Sequence, residues 1–218
     1  MLKDLVYRVG SQHQLRKYES CMIELKQLDE KCLEWFNRLD TKKWTLAHDG
    51  GHRYGWMTTN IAECINGVLK KARMLPITAL VWLTFYCCVS YFETCWTEIQ
   101  TQIANGDLFT FYVINKITKY ELRASGHTIK IFPCSNGIFE VTTAPHGFHI
   151  DKENNIQIVK LKEGTCTCNK WQSFGIPCSH VLAVCARARI DSWQFFDKHY
   201  RMDVYGCCYT PQFNSIPY

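Results

Sequence analysis

Cys166-Thr167-Cys168 is followed after nine residues by Cys178-Ser179-His180, a pattern of the form C-x-C-x9-C-x-H. Zinc takes four donors at tetrahedral positions, thiolates at about 2.3 Å and imidazoles at about 2.0–2.1 Å. Two close pairs joined by a turn deliver that set. On extended backbone, residues two apart face the same way, so Cys166 and Cys168 converge on one ion. Gly175-Ile176-Pro177 is the turn that returns the second pair beneath the first. Val181-Leu182-Ala183-Val184-Cys185-Ala186 then forms helix readily, which sets Cys178 and His180 at a helix N-terminus, where thiolate is favoured over thiol. Cys166, Cys168, Cys178 and His180 are therefore the expected ligands of one structural Zn2+, with no coordination position left for a substrate. The competing account packs the four as small buried hydrophobes, and Cys185 is the competing ligand, expected instead to pack inward.

A second group of chemistry-bearing residues lies in Thr58-Thr59-Asn60-Ile61-Ala62-Glu63. Asn60 reads as a helix N-cap and Glu63 as its capping-box partner, so capping is the expected role of this carboxylate. Lys70, Lys71 and Arg73 follow as a basic cluster that can meet phosphates but by default forms a solvated helix face. Lys160, Lys162 and Lys170 flank the cysteine motif, and Trp171 and Phe174 sit between its ligand pairs. Basic residues interleaved with aromatics can stack on single strands, but in so small a module the two rings are expected to form the minicore over the zinc. His146 and His149 straddle Gly147-Phe148 and read as exposed loop histidines.

The elements that position these residues change character along the chain. Met22, Leu25, Leu28, Cys32, Trp35 and Leu39 recur three or four apart, one face of an amphipathic helix. A break at Asp49-Gly50-Gly51 precedes the Asn60 helix, which ends before Pro76. A second helix runs from about Pro76 to Asn105-Gly106, and a shorter one covers Phe111 to Arg123. Between Met74 and Phe92 no charge occurs, long enough to span a bilayer. Pro76, Thr78, Thr84, Tyr86, Ser90 and Tyr91 dilute its apolarity, so a buried core helix is expected. From His127 the pattern becomes β: residues 128–132 and 138–142 flank Asn136-Gly137, a hairpin signal, and residues 156–161 alternate in period two.

The 218 residues are 47% hydrophobic and 21% charged, with 12 Gly and 6 Pro, which excludes global disorder and low-complexity classes. A net charge of +5 permits nucleic-acid binding without arguing for it. Thirteen cysteines are the outlier. The opening Met1-Leu2-Lys3-Asp4-Leu5 carries no secretory pattern and the count is odd, so reduced thiols with metal ligands are expected rather than a disulfide framework.

The motif and its apolar helix resemble the SWIM-type zinc finger. Residues 57–63, residues 70–77 and the tail His199-Tyr200-Arg201-Met202-Asp203-Val204-Tyr205 resemble the C-terminal half of plant Mutator-like (MuDR-type) transposases and of the related far-red-impaired-response regulators. The resemblance implies an RNase H-like core with an acidic triad of two Asp and one Glu that binds two divalent ions. Glu63 matches the third acid. The two aspartates belong to segments upstream of this chain, and Asp29, Asp40 and Asp49 do not replace them, so the expectation is no catalysis by this polypeptide alone. The fold class is α+β, with a helical transposase remnant at 1–124, a zinc finger with a β-hairpin and ββα module at 125–190, and a tail at 191–218. The expected protein is a non-catalytic module that contacts DNA or a protein partner in the nucleus, without small-molecule substrate or membrane. The alternatives are a fragment of an active transposase completed by upstream sequence, and a domesticated transcription regulator.

Overall fold

A computed structural model describes residues 2–57, 66–67, 70, 72–131, 137–143, 156–210 and 213–214. Glu63, the Asn60 cap, Lys71, His146 and His149 lie outside them. The fold is mixed, with helices and a small antiparallel sheet. Its compact units interleave along the chain: Met1–Met57 combines with Asn115–Phe196, and Thr58–Ile114 with Asp197–Tyr218. Divisions at 124 and 190 follow sequence character, whereas the compact units cross them.

The N-terminal helices of the first unit are α1 (Leu2–Gly10), α2 (Leu15–Leu28), α3 (Glu30–Asn37) and α4 (Thr41–Trp44). The apolar stripe from Met22 to Leu39 is broken at Asp29. This residue leaves the helical region (φ −157°), and its carboxylate accepts the Cys32 amide at 3.0 Å, starting α3 afresh. Leu5, Val9, Tyr18, Leu25 and Phe36 form the core of these helices.

The same unit holds the sheet, with strands β1 (Thr128–Ile131), β2 (Ile138–Thr142), β3 (Ile156–Lys160) and β4 (Thr165–Cys166) in that order, every neighbouring pair antiparallel. Val141 pairs with Ile129 and Gln157, and Val159 with Phe139 and Cys166. The buried side chains of Val141, Val159, Cys166, Val181 and Val184 join one face of this sheet to the helix that follows the motif.

The second unit is built on α5 (Ile77–Ala104); α6 (Phe111–Ala124) begins in it and continues into the first unit. Ile99 of α5 is 2% exposed and packs against α9 (Met202–Cys207), where a Cβ on Gly206 would come within 3.3 Å of its Cγ2. Phe92 meets Tyr209 and Phe213 edge-on. The expectation of a buried core helix is corrected here. Ile99 is the one buried residue of α5, while Val81, Tyr86 and Tyr91 are about half exposed. Apolar composition records what a helix is able to bury, and within the described residues α9 and the Phe213 segment cover only part of it. The helix is long and apolar enough to cross a membrane.

Candidate metal centre

Strand β4 ends at Cys166, and the chain turns at once: the Asn169 amide donates to Cys166 O at 2.8 Å and the Thr167 amide to Ile158 O at 3.0 Å. Cys168 therefore reaches the site from a turn rather than from extended strand. Asn169 is left-handed (φ 58°), which Asn tolerates, and its side-chain amide donates to His13 O at 2.8 Å. Helix α7 (Lys170–Phe174) follows, an element absent from the expected ββα order. Gly175 ends it at φ 64°, a conformation suited to glycine, with its amide on Trp171 O. Ile176 and Pro177 are buried, and Cys178 becomes the N-cap of α8 (Ser179–Ala188), the position read from sequence.

The fold brings Cys166, Cys168, Cys178 and His180 together, their ligand atoms all within 4.8 Å of one another and all four residues buried. Cys166 Sγ lies 3.4 Å from Cys168 Sγ. His180 turns Nδ1 to the sulfurs, 3.7 Å from Cys166 and 3.6 Å from Cys178. Tetrahedral zinc places sulfurs about 3.8 Å apart, and sulfur and nitrogen about 3.6 Å apart. These three separations lie within a few tenths of an ångström of those values, all six lie within 4.8 Å, and four protein donors would close the ion's coordination shell.

Electrostatics argue in the same direction. The Cys166 thiol donates to Cys168, which raises the pKa of Cys166 and lowers that of Cys168. Burial pushes Cys178 well up, and the neighbouring thiols add to the rise. Three thiolates cannot share this buried space without a compensating cation, which zinc supplies.

Residues 148–188 match the SWIM zinc finger family. Nothing matches the chain among curated proteins or among solved structures. The SWIM finger and its Cys/His cluster together support one structural zinc ion.

Around this SWIM finger the other candidates divide. Trp171 is buried in the core of the module, its indole N–H donating to Phe195 O at 3.1 Å. Phe174 is not part of that core. It meets the His13 ring at 4.8 Å, and Lys116 Nζ lies 3.2 Å from its ring centroid, so its place in the expected minicore is corrected. Cys185 packs inward, and burial pushes its thiol up to about 11. Lys160 pairs with Glu163 at 2.9 Å, and Lys70 is exposed. Gln172 is a positioning residue that sequence reasoning missed. Its Oε1 accepts the Cys166 amide at 3.2 Å and its Nε2 donates to Cys166 O at 3.0 Å, so one side chain clamps the backbone of a ligand. A glutamine between two ligand pairs carries no spacing signal that would have singled it out.

Proposed function

We propose that the chain is a non-catalytic DNA-binding module descended from a plant Mutator-like transposase, acting in the nucleus, with its helical part a remnant of an RNase H-like core. The observation that carries DNA binding is the gathering of like charge beside α7. Lys116 is about half buried over Phe174, and burial together with the Lys170 charge lowers its pKa to about 8. His13, on the same ring, is likewise lowered by burial and by both lysines. His13 is thereby kept neutral, and the two lysines held charged at such a cost gain when a phosphate joins them. The SWIM finger supports the reading because α7 lies between its two ligand pairs, and the resemblance at residues 57–63, 70–77 and 199–205 supports the descent.

The test is DNA affinity against salt. Lys170→Gln should weaken binding to all sequences and reduce the slope of log affinity on log salt by about one. An unchanged slope would move the contact elsewhere, and no retention of DNA at low salt would transfer the function to a protein partner, the reading that the exposed apolar side chains of α5 favour. With Mg2+ or Mn2+ the protein should neither nick nor join DNA. Metal-dependent cleavage abolished by Glu63→Gln would instead make it part of a transposase.

A further inference from the structure

The hairpin β1–β2 does more than roof the module. Thr128 pairs with Thr142 and Ile129 with Val141, and His127 and Thr143 are the next residues beyond the paired ends. Side chains two apart on a strand share a face. His127 and Thr143 thus lie on the face of Ile129 and Val141, which packs on the core of the zinc module. Both converge on His180. Thr143 Oγ1 is 3.2 Å from His180 Nε2, and the His127 ring stacks on the His180 ring, with centroids 5.0 Å apart and planes 18° apart. His127 is itself held by Ser179, Nε2 to Oγ at 3.0 Å.

We infer that Thr143 and His127 are positioning residues of the zinc centre, so that the functional site extends beyond the SWIM finger at 148–188 into the preceding hairpin. When Nδ1 binds the ion, the imidazole proton resides on Nε2, and the Thr143 hydroxyl oxygen accepts it. That bond fixes the tautomer, holds the ring edge and increases electron donation from Nδ1. The stacked His127 restrains the ring plane. Edge and face together aim one nitrogen at the ion, and pre-aiming reduces the entropy lost on metal capture.

The full-length protein tests this by zinc competition against a chromophoric chelator, together with the 15N-labelled imidazole spectrum of the zinc-loaded form. Thr143→Val keeps the shape and removes the acceptor. It should weaken zinc about ten-fold and leave the His180 Nε2 proton exchanging rapidly with water, where the wild type shows it protected. Thr143→Ser restores the acceptor and should return both properties to wild type. His127→Phe keeps the stack and should stay within about two-fold, while His127→Ala should weaken zinc several-fold. The inference is overturned if Thr143→Val binds zinc as wild type does with an unchanged Nε2 proton. Equal losses in Thr143→Val and Thr143→Ser would also overturn it, by showing that the threonine methyl packs rather than its oxygen orienting.

Discussion

Burial raises the pKa of the Cys178 thiol and the hydrogen bond to Cys168 raises that of Cys166, while the same bond lowers that of Cys168. Zinc entry therefore displaces as many protons as the three thiols still hold. Calorimetry in buffers of different ionisation enthalpy should give that count, and affinity should rise with pH in the neutral range. Cys178→Ser or His180→Ala should reduce zinc content well below one per chain and abolish the near-ultraviolet signal of Trp171. Lys116 is a different case, a folded-state pKa of about 8 against an ordinary 10.5. Its charged form opposes folding below about pH 8, and the penalty fades as pH rises towards 10.5. Lys116→Met loses a cation–π contact worth about 0.5–1 kcal/mol and relieves a desolvation and repulsion cost that exceeds it. Denaturation midpoints should show the variant more stable at pH 7, with the gap closing by about pH 10. DNA affinity should fall in the same variant. The four ligands were legible because metal spacing is local in sequence. Gln172 and Thr143 were not, because an orienting side chain is defined by what lies beside it in space.

Two glycines show how an element is held to its neighbour. Gly51 has φ +84°, and a Cβ there would lie 2.2 Å from Gln172 O of α7; at Gly55, φ +82°, it would lie 2.0 Å from Phe174 Cε1. Gly164 shares the left-handed conformation, φ +67°, with nothing within 4 Å. Gly164→Ala should cost about 1 kcal/mol from backbone strain alone. Gly51→Ala adds a backbone clash and should cost about 2–4 kcal/mol in chemical denaturation, with a matching loss of zinc affinity as α7 shifts Gln172 off Cys166. On α5, Ile99→Ala should cost about 2–4 kcal/mol, whereas Tyr91→Ala should stay within about 0.5 kcal/mol. The length of α5 was legible from its ends at Pro76 and Asn105-Gly106. Its exposure was not, because composition does not specify a partner. The Asp29 break was legible in principle, since Asp three residues before Cys32 is a cap signal, but the continuous apolar stripe across it masks the cap.

At the scale of the molecule, the four zinc ligands all lie in one unit, and among the described residues the other unit adds none. Chelation should raise amide exchange first at Val141, Val159, Val181 and Val184, while the amides of α5 around Ile99 change little; hydrogen exchange with mass spectrometry reads both. A uniform increase along the chain would mean that the two units unfold together. The change from helical to β character near residue 125 was legible in sequence. The interleaving was not, because it rests on contacts between residues more than a hundred positions apart, such as Gln14 with Gln157 and Asn169 with His13. That arrangement has a consequence for biosynthesis. Helices α1–α4 and their connecting loops leave the ribosome well before the SWIM finger that His13, Gln14 and Gly51 of those loops contact, and at about 5–20 residues per second the delay is on the order of ten seconds. During that interval Gly51 and Gly55 face no α7. Completion of the first unit awaits the emergence of Phe196, so a nascent chain stalled before the finger is the species most exposed to chaperones and proteases.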